Sequence, residues 1–458
     1  MINYAVILAA GKGTRMKTEL AKTLFPILKK PMIEYILDEV EKTSIKKTIL
    51  VVGHQKELLM RTLGNRVEYV SQDEQLGTAH AVLQAKELLK DKSGSTIIML
   101  GDMPLIDQKT IKEIIHSHEF SKNDLTLVTT IFDNPTGYGR VVRDDKDNLI
   151  GIIEELSASE SQKAIKEVNT GIYAVNNKIL FDTINKIEKD NIKGEYYLTD
   201  IISLLVGKAK LGTYTIQDNS IVMGVNDLVA IAEAEKYFRD KINRFHMLNG
   251  ISLINPKTIT IGHEVEISEG VVIYPNTTIT GKSKISENAI IGPNTELHNA
   301  QIKKDVHVRH SLIYDSIVED RTTIGPFAHL RNNAHIGADN RIGNFVEVKS
   351  SNTAKDTKAA HLAYIGDAIV GENVNFGAGS ITVNYDGVNK HKTIIGDNVF
   401  IGCNTNLVAP INIEKNVFIA AGSTVTKDVP EGSLAIARGK QINKADYYSN
   451  LIKPKENT

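Results

Sequence analysis

The run Leu8-Ala9-Ala10-Gly11-Lys12-Gly13-Thr14-Arg15-Met16, with Lys22 shortly after it, has the residue types needed to receive an anion. Glycines remove the Cβ atoms that would keep the backbone away from a phosphate chain, so successive N–H groups can converge on its oxygens. Arg15 and Lys22 would neutralise a triphosphate. A tight turn after a strand uses the same glycines, and the run fits neither the dinucleotide nor the Walker spacing. Asp102, in Leu100-Gly101-Asp102-Met103-Pro104, can hold Mg²⁺ or cap a turn. Asn226 offers a second oxygen ligand, or the N-cap of a following helix.

A second set lies beyond residue 350. His361 is a candidate general base, because an amine attacking a thioester must lose a proton and imidazole titrates near neutrality. As one of 13 histidines it can equally be a partly buried polar residue. The stretch Asn384-Tyr385-Asp386-Gly387-Val388-Asn389-Lys390 reads as a protruding loop in a repetitive region, and such insertions mark binding sites more often than ordinary loops do. Cys403 is the single cysteine, which excludes an intrachain disulfide and a cysteine metal cluster. Nothing near it in sequence would activate a thiolate, which argues against an acyl-enzyme nucleophile.

Different elements must position the two sets. In the first half, Tyr4–Ala9, Thr48–Val52, Val67–Val70, Thr96–Leu100 and Leu125–Ile131 read as strands. Met32–Thr43, Lys56–Leu63, Ala79–Leu89 and Lys109–His118 repeat apolar residues at helical spacing. This alternation predicts an α/β, Rossmann-like domain with a mostly parallel sheet, whose ligands bind beyond the carboxyl ends of the strands. Val225–Asn249 reads as one long polar-faced helix. Beyond it, single branched residues recur every sixth position: Ile261, Ile267, Ile273, Ile279, Ile285, Ile291 and Leu297, then Ile324 to Val348, then Ile395 to Val425, with a slip around His298–Thr322. Six-residue spacing suits a left-handed parallel β-helix with three flat sides per coil. The expected division is residues 1–225, a linker helix 226–250, and the β-helix 251–458.

Bulk composition narrows the partners. A length of 458 residues favours two or three domains. With 54 basic against 55 acidic side chains, neither nucleic acid nor a membrane surface is the expected partner. The apolar start at Met1 is too short and lacks the basic leader of a signal peptide, and no window is long enough to span a bilayer, so a cytoplasmic location is expected.

Leu-Ala-Ala-Gly-x-Gly-Thr-Arg-Met, a following lysine and a later Gly-Asp resemble the signature of the sugar-phosphate nucleotidyltransferases. That resemblance implies Mg²⁺-dependent attack of a sugar 1-phosphate on a nucleoside triphosphate. Over essentially the whole chain the sequence is similar to the bifunctional N-acetylglucosamine-1-phosphate uridylyltransferase/glucosamine-1-phosphate acetyltransferases. Their acetyltransferase pattern is matched by Gly343–Lys349, His361–Asp367 and Asn384–Gly387. For the first domain the resemblance implies that Leu8, Ala9, Ala10, Gly11, Lys22, Gln72, Gly77 and Thr78 bind UTP. Arg15 and Lys22 would act in catalysis, Gly139, Glu154, Asn169 and Asn226 would hold N-acetylglucosamine 1-phosphate, and Asp102 and Asn226 would ligate Mg²⁺. For the second, Arg331, Lys349, Tyr364, Asn375 and Lys390 would grip glucosamine 1-phosphate. His361 would take the amine proton, with Asn384 orienting it. Ala378, Asn384, Tyr385, Cys403, Ala421 and Arg438 would meet acetyl-CoA. A homotrimer with sites between coils is implied as well.

Two departures stand out. Cys403 occupies a place where the family often has serine, and a thiol is the weaker donor to a thioester oxygen. The family's basic-Leu-Arg-Pro stretch is His329-Leu330-Arg331-Asn332 here. One competing reading is a monofunctional sugar-1-phosphate nucleotidyltransferase with a regulatory or oligomerising β-helix, for which His361 and the 384–390 loop are incidental. A non-catalytic scaffold is another. It predicts loss of the phosphate loop or of Asp102, and both are present.

Overall fold

The computed structural model describes residues 1–189 and 194–451. The chain forms two compact units, Met1–Tyr237 and Phe238–Thr458. The boundary falls inside the helix Leu228–Leu248, past the start of the expected linker.

The first unit is built on a mixed sheet. Its main path runs Leu211–Ile216, Leu125–Ile131, Glu167–Asn176, Ser95–Leu100, Ile2–Ala9, Lys47–Val52, Glu68–Ser71. Glu167–Asn176 is antiparallel to both neighbours, and the other pairs on this path are parallel. The sheet is buried on both faces because strand side chains alternate. Ala5, Ile7 and Ala9 enter one apolar cluster and Val6 the other. Leu50 and Val52 share the first with them, Ile49 and Val51 the second. The stretch expected as one helix, Ala79–Leu89, is two, Thr78–Leu83 and Lys86–Leu89. The sheet places the carboxyl ends of Ile2–Ala9 and Ser95–Leu100 side by side, with Ala9 opposite Val52 and Leu8 opposite Leu100.

The second unit is a parallel β-helix. Strand partners lie 18 residues apart where the hexads are regular, as in Thr260↔Thr278 and Thr278↔Glu296. The sequence slip corresponds to shorter coils: Lys284 pairs with Gln301, and Gln301 with Ile317. Residues at the sixth positions form one continuous core, in which Ile261, Ile279, Ile291, Leu330, Ile401 and Leu407 are almost wholly buried. One coil is longer, with Ile369 paired to Ile394, and the extra length is the segment expected to protrude. No helix among the described residues is long and apolar enough to cross a membrane.

Candidate active sites

In the first unit, the loop after Ile2–Ala9 brings its cations to the end of Ser95–Leu100. Lys22 Nζ donates to Asp102 Oδ2 and to Asn226 Oδ1, the latter at 2.6 Å. Arg15 Nη2 donates to the same Asn226 oxygen at 2.7 Å. Asn226 is fixed in turn by its Nδ2 bond to the Gly224 carbonyl, 3.1 Å, and the Val225 N–H bonds the Asp102 carbonyl at 2.8 Å. Gly13, at a φ of 63°, lets Lys22 in: a Cβ there would stand 2.6 Å from Lys22 Cβ. Asp102 Oδ1 is buried without a partner. Two oxygens converging on a cation, beside an orphaned carboxylate oxygen, suit a Mg²⁺ that takes its remaining ligands from phosphates and water. Among the described residues no group of three or more His, Cys, Asp or Glu could hold a metal by itself. Tyr138, which the sequence reading passed over, lies beside this centre. Its phenol is held above the usual range by burial and then by the Asp102 carboxylate.

Next to the cations is a cavity of about 290 Å³ lined by Leu8, Ala10, Gly11, Gln72, Gly77 and Thr78, together with Gln75 and Tyr197. Six of the eight residues expected to bind the nucleotide are thus gathered, and Lys22 stands at Asp102. Ala9 turns its side chain into the core on the other face, so only its backbone is available. Gly77 has a φ of 111°, and a Cβ on it would come within 2.5 Å of the Tyr196 carbonyl oxygen. Gln72 is buried, and its amide nitrogen bonds the Gly77 carbonyl and His80 Nδ1, both at 3.0 Å. Gln75 ties this wall to the phosphate loop through the Ala10 carbonyl, 2.8 Å. A more open groove of about 550 Å³ along Gln108–Ser117 contains none of these groups.

The residues expected at the sugar also assemble. A Cβ on Gly139 would lie 3.6 Å from each carboxylate oxygen of Glu154, so the glycine leaves that carboxylate open. Thr199 Oγ1 donates to Glu154 at 3.1 Å. The Asn169 backbone N–H bonds the Gly139 carbonyl at 2.9 Å, and its side-chain oxygen accepts from the Gly171 N–H at 2.8 Å. Burial, and then the Glu154 charge, raise the Asp200 carboxyl. The result is a polar wall of acceptors for hydroxyl groups.

In the second unit, register explains the site. Asn344 pairs with His361, and extending the neighbouring pairs Lys358↔Asn375, Asn375↔Phe400 and Phe400↔Phe418 by three residues aligns Ala378, Cys403 and Ala421 at the same corner. Small residues therefore run in file from His361. At the far end the Arg438 guanidinium bonds the Ala421 carbonyl at 2.9 Å. His361 is exposed, and its Nδ1 lies 2.7 Å from Asn344 Oδ1. An amide oxygen there selects the tautomer with a proton on Nδ1 and a lone pair on Nε2. The side chain that hydrogen-bonds His361 is thus Asn344, one coil earlier, and not Asn384. Asn384 donates instead to Asp367 Oδ2 and, at 3.4 Å, to the Tyr364 hydroxyl.

Beside that corner is a cluster of cations. Arg331 pairs in register with Lys349, and Lys349 with Gly366. Arg331 bonds Glu347 Oε1 through Nε at 2.8 Å and Nη2 at 2.7 Å. Buried Lys349 donates to Asp367 at 3.2 Å and also meets Lys390. The Lys349 ammonium beside it holds Lys390 below the usual lysine range. Three cations share two carboxylates, a surplus that suits a phosphate dianion. Asn375 is not part of this cluster. It stands in the row of Lys358 and Phe400, across the His361 corner from Tyr364. Asn332 has a φ of 54°, a value closed to proline, which accounts for the missing proline after Arg331. Cys403 is exposed in the corner file. Asp367 and Glu347 were quoted in the matched motifs without a role, and their pairing with the cations emerges only from the coil register.

Comparison with known proteins agrees with both halves. Residues 4–239 match the family model described as nucleotidyl transferase, and residues 315–350 and 392–427 match the bacterial transferase hexapeptide model. The chain is 58% identical over 455 residues to "Bifunctional protein GlmU" of Acholeplasma laidlawii, covering 99% of each. It is 49% identical to the protein of the same name from Geobacillus sp. and 46% identical to that from Listeria monocytogenes, covering 98% of each chain in both cases.

Proposed function

Because this chain belongs to the family of bifunctional GlmU proteins, we propose that its two sites carry out successive steps of UDP-N-acetylglucosamine synthesis. The β-helix acetylates glucosamine 1-phosphate with acetyl-CoA, and the first unit then joins the product to UMP from UTP, releasing pyrophosphate. The carrying observation is the corner file, in which an oriented imidazole, a row of small residues and a terminal guanidinium adjoin a three-cation cluster.

In acetyl transfer the sugar phosphate is gripped by Arg331, Lys349 and Lys390. Its amine attacks the thioester carbonyl carbon, His361 Nε2 takes the amine proton, and coenzyme A leaves as the thiol. Asn344 keeps Nε2 unprotonated before the attack. Ala378, Cys403 and Ala421 leave room for the extended pantetheine arm, and Arg438 serves its phosphates.

In uridylyl transfer a phosphate oxygen of N-acetylglucosamine 1-phosphate displaces pyrophosphate from the α-phosphorus of UTP. Arg15 and Lys22 neutralise the phosphates, Gln72, Gly77 and Thr78 receive the uracil, and Gly139, Glu154 and Asn169 hold the sugar. Mg²⁺, when held by Asp102 and Asn226, supplies charge neutralisation on the phosphates.

The separation of Asn375 from Tyr364 across one corner supports a homotrimer in which neighbouring copies bring those two sides together. A monomeric mass at micromolar concentration would contradict it. The expected location is the cytoplasm. The decisive test is coenzyme A release by the full chain with acetyl-CoA and glucosamine 1-phosphate. Release that disappears in His361→Ala while UTP turnover persists supports the two-site reading. Normal UTP turnover with no release from the unaltered chain points to the monofunctional alternative.

A further inference from the structure

The segment from Asn384 to His391 is a small hairpin with almost no apolar packing. Tyr385 is 56% and Val388 82% exposed. Its backbone is closed by an antiparallel bridge between Tyr385 and Lys390, by the Asp386 N–H on the Asn389 carbonyl at 3.2 Å, and by the His391 N–H on the Asn384 carbonyl at 2.8 Å. The Tyr385 hydroxyl donates to the Gly387 carbonyl at 2.6 Å, and the other side-chain bonds inside the hairpin come from one carboxylate. Asp386 Oδ1 accepts from the backbone N–H groups of Val388, 2.8 Å, and Asn389, 2.6 Å, while Oδ2 meets His391 Nε2 at 2.7 Å. These bonds bring the Asp386 carboxyl down to about 2. Both neighbours of Lys390 are therefore tied to the same carboxylate.

Lys390 needs such a tie. Its ammonium is held against that of Lys349, near Arg331, and Asp367 is the carboxylate they face. Like charges at this distance repel, and a lysine on an exposed hairpin would otherwise swing into water. The hairpin is anchored to the same Asp367 at its other end by the Asn384 amide.

We propose that Asp386 and His391 are positioning residues that clamp the hairpin so that Lys390 is held at the phosphate site before substrate arrives. This rests on the acetyltransferase reading and adds to it two residues which do not themselves touch the cluster. Holding a repelled charge in place in advance lowers the ordering cost of binding, so the effect belongs in substrate affinity and not in the chemical step.

The test uses the full chain. In Asp386→Ala, KM for glucosamine 1-phosphate should rise about tenfold with kcat within about twofold, the size expected for one immobilised side chain. UTP turnover should be unchanged, and the retained kcat for acetyl transfer reports that the β-helix is folded. Asp386→Asn keeps an acceptor for the two N–H groups and should lie between, and His391→Gln, which keeps a donor, should be milder than His391→Leu. In a Lys390→Ala background, Asp386→Ala should add nothing further. Unchanged KM in Asp386→Ala, or effects that add in the double variant, would overturn the proposal. Calorimetric titration with inorganic phosphate, expected to weaken in Asp386→Ala, reads the clamp without acetyl transfer. Absence of coenzyme A release from the unaltered chain would instead count against the acetyltransferase reading.

Discussion

The two sites recruit their residues over very different distances along the chain. In the first unit Lys22 reaches Asp102 across 80 positions and Asn226 across 204. In the second, Arg331 meets Glu347 across 16, His361 meets Asn344 across 17, and Lys349 meets Asp367 across 18. A sheet with crossover connections gathers strand ends from anywhere in the domain, whereas a regular coil brings residue i to about i+17, and only the inserted hairpin, which carries Lys390 back to Lys349, reaches further. The charge balance differs too. At the first site Arg15 and Lys22 each find an oxygen acceptor, while the β-helix crowds three cations around two carboxylates. A site whose cations are already paired with oxygens suits a polyphosphate that brings its own counter-cation. The other needs only a dianion.

The largest expected effect tests whether the two sites are separable. Asp102→Ala should reduce uridylyl transfer about a thousandfold, because it removes charge stabilisation at the reacting phosphates, and leave acetyl transfer intact. Assaying pyrophosphate and coenzyme A release side by side checks this. His361→Ala should do the reverse, with acetyl transfer falling by about 10² to 10⁴. Loss of both activities in a folded variant would erase the distinction. Asn344→Ala sharpens the coil argument. It should lower kcat for acetyl transfer about tenfold to a hundredfold through the wrong imidazole tautomer, whereas Asn384→Ala should act mainly on KM for the sugar phosphate.

The smallest effect concerns stability in the first unit. His118 is buried between Thr126 and Ser95, and burial holds its imidazole below the ordinary histidine range. The unfolded chain therefore binds more protons as pH falls through the ordinary imidazole range, and stability is lost on acidification. His118→Gln should flatten the decline between pH 7 and 5, changing Tm at pH 5 by about 2 °C relative to its change at pH 7. Thermal unfolding at the two pH values measures it.

This difference in separation also explains what could be read in advance. The β-helix was visible because its core repeats at fixed intervals, and the corner file follows once the coil length is known. Asn344 was missed as the hydrogen-bond partner of His361 because it looks like any other corner asparagine until paired with it. Asn375 was grouped with Tyr364 on resemblance, while register puts the two on different sides. In the first unit the strands were legible from apolar runs. The meeting of Lys22, Asp102 and Asn226 could be expected only from the resemblance, since no local pattern encodes which strand ends become neighbours. Tyr138 and Gln75 carry no signal beyond their type.

The coil that carries the hairpin has one further consequence. Ile369 pairs with Ile394 across the insertion, yet Ile394 pairs with Asn412 at the ordinary spacing of 18. The extra residues leave the stack at a corner and return without shifting any later coil. Such a scaffold behaves like a shelf with independent slots, in which a segment can be lengthened, shortened or exchanged while the layers above and below keep their places. New substrate preferences can therefore be acquired by editing one turn, and His361 and its file of small neighbours are left untouched by the experiment.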